Sequence, residues 1–482
     1  MSVSEDPLTK VLAELRTCRA ALAARAGITD DPAQLRDESP VAEVARSLLV
    51  FPETPEEVAY LVRLAHRFNV PMVPRGGRTG VVGGAVPLEP SLVIDLSRLT
   101  EVVTFDVPGR YLRVGAGTTL GRIEELLAPH GMMYPPDPAS YRRASIGGTV
   151  ATNAGGLRCV KYGTTGRWIR TLEIVLADGS IVELGHAVVK DATGYDLRGL
   201  MIGSEGTLGI VVSVGITFCP RPANSCLLVA AFSTVEQALE ATRSIQDRVV
   251  PSMCELLDRG ALESRNTSVV VPLLGEVAQW GPDPTLLLVQ VDGADTDAES
   301  ALVRDAVAAR SYAIQVVAPS VEAAVLEMRR GGSAVRTGAP SNAVEETLVA
   351  PVAGVSTLPQ DVSVPLEHVV PIVRSIREIS AQFGVESRIA AHAGDGNLHL
   401  LLLASEPEPM DGERTLTLLR TAMGQVIDRV LEAGGTVSGE HGIGAAKRRW
   451  AKRDLGPEII GVHRQIKRSL DPHNLLNPHK AF

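Results

Sequence analysis

The scarcities of this sequence narrow its function before its motifs do. Aromatics make up 4% of the 482 residues, so its cores must rest on Val, Leu, Ile and Ala. Basic charge is in deficit: 47 Lys and Arg face 56 Asp and Glu, a net charge of −9. Nucleic-acid phosphates would be repelled by such a chain. Its densest basic cluster, Lys447-Arg448-Arg449, reads as a solvated helix face. No apolar stretch approaches the roughly 20 residues that a membrane span needs. The opening Met-Ser-Val-Ser-Glu-Asp lacks the basic and apolar regions of a signal peptide. The cysteines at 18, 159, 219, 226 and 254 form no C-x-x-C pair. An odd, scattered set fits reduced thiols in a cytoplasm better than a disulfide framework. The expectation is a cytoplasmic protein with no nucleic-acid partner and no transmembrane segment, for which peripheral contact with a membrane stays open.

The length predicts two or three domains. Residues 7–26 have helical apolar spacing, with Leu8, Val11, Leu12, Leu15 and Leu22 near one face. Thr54-Pro55 is a helix-start signal ahead of Val58, Leu61, Val62, Ala65 and Phe68. Strands are expected at 70–73, 92–96 and 110–114, and a helix at 118–130. From Ala144 to Phe218 the chain is punctuated by glycine and reads as β-rich, with a hairpin around Ala177-Asp178-Gly179-Ser180. Pro220 and Pro222 mark a boundary. Beyond it strands and helices alternate in an α+β pattern of ferredoxin-like kind, and residues 331–359 read as a long functional loop. The expected parts are an N-terminal helical segment (1–45), a second domain (46–222), a third (223–411) and a C-terminal helical segment (412–482).

Three segments concentrate glycine with small hydroxyl residues. They are Pro74-Arg75-Gly76-Gly77-Arg78-Thr79-Gly80 with Gly83-Gly84, then Ser145-Ile146-Gly147-Gly148 through Thr152 to Gly155-Gly156, then Gly203-Ser204-Glu205-Gly206-Thr207-Leu208-Gly209. Glycine permits positive φ and close backbone approach, and successive free N–H groups form an anion-binding nest. The first segment is neither a Walker A loop nor a G-x-G-x-x-G that opens a helix. Three such loops in one half of the chain suit an extended dinucleotide better than a single phosphate.

A second constellation lies in the other half. Apolar residues flank Gly394-Asp395-Gly396-Asn397 on both sides, with His392 before and His399 after. A four-residue hairpin loop there pairs Ala393 with Leu398 and sets His392 directly opposite His399, with Cβ atoms about 4.5–5.5 Å apart. Two imidazoles at that separation can share a divalent metal. Ser438-Gly439-Glu440-His441-Gly442 adds a carboxylate and a third imidazole between glycines.

These segments resemble the FAD-binding domain of the vanillyl-alcohol oxidase / p-cresol methylhydroxylase flavoproteins. The two histidine segments resemble the FAD-linked 2-hydroxy-acid dehydrogenases, the group of D-lactate dehydrogenases, glycolate oxidase flavin subunits and D-2-hydroxyglutarate dehydrogenases. The group's motifs His-x-Gly-Asp-Gly-Asn-x-His and Glu-His-Gly-x-Gly are matched at every fixed position. The resemblance implies a two-part FAD-binding domain of the p-cresol methylhydroxylase type, an α+β ferredoxin-like substrate (cap) domain, and a helical C-terminal segment returning to the flavin. It implies non-covalent FAD, since the first motif holds neither His nor Cys. FAD contacts are implied for Arg75, Gly76, Gly77, Arg78, Thr79, Gly80, Gly83, Pro136, Asp137, Ser145, Gly147, Gly148, Thr152, Gly155, Glu205, Gly209, Ile210 and Asn477. His392, His399 and Glu440 are implied ligands of a divalent metal, Zn²⁺ being the expected ion. His441 is the implied base, and Asn397 and Arg330 are implied substrate contacts. The implied partners are a small 2-hydroxy acid and an electron acceptor such as a quinone, a cytochrome or an electron-transfer flavoprotein. A homodimer is compatible with this reading.

The sequence departs from the family pattern in places. Arg78 stands where the first motif usually has Gly, which implies a reshaped loop or an added positive charge near the phosphates. The substrate arginine usually follows a Trp-x-x-Arg pattern, and Glu327-Met328-Arg329-Arg330 places Arg330 in register with Glu327 in place of Trp. Ala334 and Pro359 stand where 2-hydroxyglutarate enzymes usually carry Thr and Lys. Two donors for a distal carboxylate are therefore missing, which favours a smaller or more apolar substrate unless Arg336 substitutes for one. Two other readings share the architecture: a non-redox FAD enzyme like alkyl-dihydroxyacetone-phosphate synthase, and a non-catalytic flavin-binding electron-transfer subunit. The intact metal motifs oppose the first of these and the retained His441 opposes the second.

Overall fold

A computed structural model describes residues 6–41, 43–265, 267–330, 355–405 and 412–481. It divides into two compact units, Met1–Ala154 with Thr164–Arg221 and Glu440–Phe482, and Gly155–Gly163 with Pro222–Gly439.

In the first unit, helix Pro7–Cys18 starts at Asp6, whose carboxylate accepts from Leu8 N, and it buries Leu8, Val11, Leu12 and Leu15. The single helix expected to reach residue 26 stops at Cys18, because Arg19 leaves the helical region with φ −146° and ψ 63°. After a short helix, Ala20–Ala23, the chain enters β1 (Ala26–Thr29), so the N-terminal segment contributes a strand as well as helices. β2 (Ser47–Val50) leads to helix Pro55–Phe68, whose N-cap Thr54 accepts from Glu57 N, and which ends at Asn69 with φ +51°. β3 (Met72–Arg75) and β4 (Leu92–Asp95) follow. The sheet order is β1-β2-β4-β3, parallel except for β1. Every residue of β4 is buried, as expected of a parallel strand covered on both faces.

β5 (Val102–Asp106), β6 (Tyr111–Gly115), β8 (Ile169–Val175), β9 (Ile181–Leu184) and β10 (Ile210–Thr217) form an antiparallel sheet of order β5-β6-β10-β8-β9. β7 (Met132–Met133) pairs with β11 (Cys219–Pro220). β8 and β9 make the hairpin read from the sequence, turning through Gly179 at φ +81°. The span read as wholly β-rich contains helix Ile146–Thr152: Ser145 Oγ caps Gly148 N, and Asn153 ends it at φ +51°. The capping hydroxyl overrides the low helix propensity of glycine, Thr and Val. The last long helix, Arg448–Leu470, kinks at Gly456, with Pro457 after it.

The second unit opens with β12 (Asn224–Phe232), helix Val235–Gln246, β13 (Met253–Leu257), β14 (Thr285–Gly293), helix Thr296–Val307 and β15 (Ala313–Val316). These four strands lie in the order β15-β12-β14-β13, the ferredoxin-like arrangement. β16 (Val355–Ser363), β17 (Glu386–His392) and β18 (Asn397–Ser405) extend it to seven strands, β15-β12-β14-β13-β17-β18-β16. Helix Val369–Phe383 buries Val369, Ile372, Val373, Ile376 and Ile379, an i, i+3, i+4, i+7 stripe. Of the loop expected over 331–359, residues 331–354 lie outside the described residues; 355–359 are strand, as the opening of β16.

Candidate functional site

In the first unit the three glycine segments meet. A methyl at Gly76 would lie 2.0 Å from Ser145 Oγ, and one at Gly77 2.3 Å from Arg143 O. Gly77 N donates to Ser145 Oγ at 3.2 Å. Gly206, at φ +68°, would place a methyl 2.6 Å from Pro74 Cγ, so the third segment packs on the first as well. The C-terminal loop joins them, because Asn477 Nδ2 donates to Gly84 O at 3.0 Å and Glu205 O at 2.8 Å. Backbones this close, with no Cβ between them, suit a ligand recognised through main-chain amides. Among the described residues, Asn477 Oδ1 and Thr118 Oγ1 are buried without a hydrogen-bond partner. Buried polar atoms are normally satisfied, so these two fit the edge of a polar ligand such as FAD. Thr118 was absent from the sequence reading, although Gly115-Ala116-Gly117-Thr118 after β6 is itself a small-residue signal.

The two arginines of the first segment differ. Arg75 is buried, with Nε 2.7 Å from Asp95 Oδ2 and Nη1 2.5 Å from Gln34 O, so its guanidinium braces β3 against β4. Arg78 has φ +59°, the left-handed region where glycine is at no disadvantage, which explains why glycine suits this position. Its side chain is exposed and Nη1 donates to Ala33 O at 3.4 Å. Its backbone there carries a strain cost, and the guanidinium is directed to a carbonyl.

The other expected cofactor residues are placed as follows. Thr79 is half-buried, Gly80 is exposed and accepts from Glu38 N, and Gly83 turns at φ +75°. Pro136 is buried and Asp137 half-buried. Gly147 and Gly148 form the first turn of helix Ile146–Thr152, where Thr152 Oγ1 donates to Gly148 O at 3.3 Å. Gly209 precedes β10, in which Ile210 pairs with Val175. Gly155 falls in the chain segment grouped with the second unit. Glu205 is buried at φ +53° and accepts from Ile443 N and Gly444 N. Burial pushes its carboxyl up, and those two N–H groups act against that rise. Nearby, burial pushes Lys480 down to about 8, and its Nζ donates to Val86 O at 2.6 Å.

In the second unit the histidine hairpin forms with a different register. His392 pairs with Asn397 and Ala390 with His399, so the loop is Ala393–Gly396, and His392 is not directly opposite His399. Gly396 at φ +81° turns the loop; a methyl there would sit 2.2 Å from Val364 O. The slip relative to expectation is two residues, which preserves the face. The two histidines become diagonal neighbours, a separation long side chains can close. Their rings lie edge to face with centroids 4.9 Å apart. Asn397 is buried, and its Oδ1 has no partner among the described residues.

β13 contributes what sequence reading missed. Glu255 is fully buried, its Oε1 2.6 Å from His392 Nδ1 and its Oε2 paired with Arg329 Nη2. A carboxylate that accepts Nδ1–H fixes the tautomer and leaves Nε2 as the ligating atom. Arg329 is buried and compensates the Glu255 charge, while Arg330 caps the same helix half-buried. A lone glutamate in the apolar run Met253-Cys254-Glu255-Leu256-Leu257 is the signal that could have found it, since a buried charge needs partners. Arg336 and Ala334 lie outside the described residues.

Glu440 follows Gly439, the last residue of the second unit, so its position is set by its chain neighbour. One ligand atom from each of His392, His399 and Glu440 lies within 4.8 Å of the others. Two imidazoles and a carboxylate are the donor set of many divalent-metal sites, zinc included, and would leave further positions open to a substrate. His441 Nε2 is 3.8 Å from Glu440 Oε1, and both side chains are largely buried. No described helix is long and apolar enough to cross a membrane.

Comparison with known proteins shows the family. Residues 47–185 match an FAD binding domain, and residues 221–481 match the C-terminal domain of FAD linked oxidases. The chain is 31% identical over 450 residues to D-lactate dehydrogenase of Archaeoglobus fulgidus, covering 92% of this chain and 94% of that one. It is 32% identical over 438 residues to glycolate oxidase subunit GlcD of Escherichia coli (strain K12), covering 90% and 83%. It is also 31% identical over 444 residues to D-2-hydroxyglutarate dehydrogenase of Xanthomonas citri, covering 90% and 89%. Among solved structures, p-cresol methylhydroxylase with substrate bound aligns with a TM-score of 0.76 at 17% identity, covering 100% of this chain and 98% of that one. Alkyldihydroxyacetonephosphate synthase aligns with a TM-score of 0.72 at 19% identity, covering 98% and 85%. At such identities these two likenesses speak to the fold. The glycine loops, the histidine hairpin and the two domain matches together make this chain a member of the FAD-linked oxidase family, in the group of the D-lactate dehydrogenases and glycolate oxidase flavin subunits and on the p-cresol methylhydroxylase-type fold.

Proposed function

We propose that this protein is an FAD- and divalent-metal-dependent dehydrogenase that oxidises a 2-hydroxy acid of the D-lactate type to the 2-oxo acid. The observation that carries the proposal is the convergence of His392, His399 and Glu440 to within 4.8 Å, with His441 next in the chain. The glycine loops would hold FAD non-covalently, and the flavin when bound would supply, at N5, an acceptor for hydride from the substrate Cα. His392, His399 and Glu440 would hold a divalent metal, Zn²⁺ on this donor set, which when bound would supply Lewis acidity toward the substrate hydroxyl and carboxylate.

The protein's own groups do the rest. His441 takes the hydroxyl proton, a task that suits an imidazole because its pKa lies near neutrality. Glu255 keeps His392 Nδ1 protonated, so that Nε2 faces the metal position. Asn397 offers its unpartnered Oδ1 to the substrate. Arg330 is assigned to the substrate carboxylate by its register with the family's substrate arginine. The missing Thr and Lys at Ala334 and Pro359 favour a substrate without a second carboxylate. The scattered cysteines support a cytoplasmic protein, for which a quinone, a cytochrome or an electron-transfer flavoprotein serves as electron acceptor and with which a homodimer is compatible. The non-redox reading finds no use for an intact set of metal ligands.

The test is anaerobic reduction of the oxidised protein by a panel of D- and L-2-hydroxy acids. Bleaching of the flavin spectrum is expected, with loss of bleaching after metal chelation. An unchanged spectrum across the panel overturns the proposal.

A further inference from the structure

Two buried carboxylates bracket the Glu440-His441 pair. On the N-terminal side, Asp361 in β16 is fully buried. It accepts from Gly439 N at 2.7 Å and from Ser438 Oγ at 3.3 Å. On the C-terminal side, Glu205 accepts from Ile443 N at 2.8 Å and from Gly444 N at 2.6 Å. Each set of bonds lies within its own unit, and the chain passes from one unit to the other between Gly439 and Glu440.

The segment between the two anchors cannot hold itself. Gly442 and Gly444 have φ of +80° and +49°, and Gly439 lies on the other side of the pair. Glycine gives such a segment many accessible conformations, so outside contacts must choose one. Hydrogen bonds from main-chain N–H to a buried carboxylate are among the strong ones, and they satisfy a charge that would otherwise be costly to bury. Each carboxylate is therefore committed to the segment, and each reaches a different end of it. Glu205 is itself braced, because its carbonyl accepts from Asn477 Nδ2 at 2.8 Å. Val82 O accepts from Ala445 N at 2.9 Å and Ala446 N at 3.0 Å, which fixes the continuation of the same segment.

We propose that Asp361 and Glu205 are positioning residues with divided roles: Asp361 sets Glu440 for the metal, and Glu205 sets His441 for the proton. The inference rests on the function proposed above.

The test uses the full-length flavoprotein carrying Asp361→Asn or Glu205→Gln. Three measurements are made: Zn²⁺ affinity after chelation and re-addition, amide hydrogen exchange over residues 439–444, and the pH profile of anaerobic flavin reduction. Asp361→Asn is expected to weaken Zn²⁺ binding about 10–100-fold, the usual cost of losing a group that orients a ligand, and to speed exchange at Gly439. Glu205→Gln is expected to keep Zn²⁺ at the wild-type level. It should speed exchange at Ile443 and Gly444, displace the pH profile and slow reduction about 100-fold, the cost of a base misplaced by about 1 Å. The proposal is overturned if both variants lose Zn²⁺ alike, or if exchange at residues 439–444 is unchanged in both. If the wild-type flavin is not reduced by any 2-hydroxy acid, the proposed function fails, while Zn²⁺ affinity and amide exchange still decide the division of roles.

Discussion

The first unit builds its site by removing side chains, and the second by stacking them on a sheet. At Gly76, Gly77 and Gly206 a single methyl would collide with a neighbouring segment, so recognition there belongs to the main chain. β13, β17 and β18, with the helix ending at Arg329, bring together imidazole, carboxylate and guanidinium groups from Glu255, His392, His399 and Arg329. The two designs fail differently. A main-chain site tolerates changes in neighbouring side chains but no new Cβ at its glycines. A side-chain site on a sheet tolerates a modest register slip of two residues, which keeps the face, but not a slip of one, which turns every group away.

The largest expected effect separates chemistry from assembly in the two designs. His441→Ala should retain FAD and metal while slowing anaerobic flavin reduction by about 10²–10⁴-fold, the range for loss of a general base. His392→Ala should instead lower bound metal, measured by elemental analysis, with FAD content unchanged. A joint loss of FAD and metal in either variant would break the comparison. Next in size is Arg329→Met, which leaves the Glu255 charge buried and uncompensated. Denaturant unfolding should show a loss of about 3–5 kcal/mol. Glu255→Gln with Arg329→Met should recover part of it, because the uncompensated charge is then gone.

The pH dependence of stability sharpens the contrast. In the second unit, burial pushes Asp258 up to about 6 from 3.8, although Ala261 N donates to it. A folded-state pKa raised above the unfolded value adds stability below pH 3.8 that is lost as pH rises through 6. Asp258→Asn should therefore gain on the wild type across that window, by at most about 3 kcal/mol. In the first unit, burial pushes Lys480 down to about 8 from 10.5, so its folded form sheds the proton first. The destabilisation is full below pH 8 and is relieved as pH rises to 10.5, which Lys480→Met should abolish. Thermal melts at a series of pH values check both. The smallest effect is at Arg78, where relief of the left-handed backbone in Arg78→Gly should raise stability by about 1 kcal/mol or less, the gain being offset by a freer unfolded chain.

What the sequence disclosed follows the same divide. The glycine segments were legible because their constraint is local and needs no knowledge of pairing. The short helix after Ser145 was overlooked because its glycine, Thr and Val residues argue against helix, while the cap that decides it is a single hydroxyl. The histidine pair was legible as a pair, but its register depended on a turn whose shape is set by Gly396 against Val364 O, a contact outside the hairpin. Glu255 was invisible as a functional group because its partners come from β17 and from the helix ending at Arg329, 137 residues away in the case of His392. Spacing put Arg330 in register with the family's substrate arginine but gave Arg329 no role, since its partner Glu255 lies on a distant strand. Adjacent helical positions differ by about 100° in direction, and their neighbours decide which one turns inward.

Gly439 carries a final consequence. A methyl at this position would come within 2.4 Å, 2.5 Å and 2.7 Å of the Oδ1, Cγ and Nδ2 atoms of Asn397. The residue has no side-chain chemistry, yet one added carbon would displace the Asn397 amide proposed to meet the substrate and disturb the chain next to Glu440, a proposed metal ligand. A survey of tolerated substitutions in this chain would therefore flag Gly439 as strictly as His441, for reasons of volume alone. Intolerance to substitution here measures the room between the Gly439 backbone and the Asn397 side chain, not participation in the reaction.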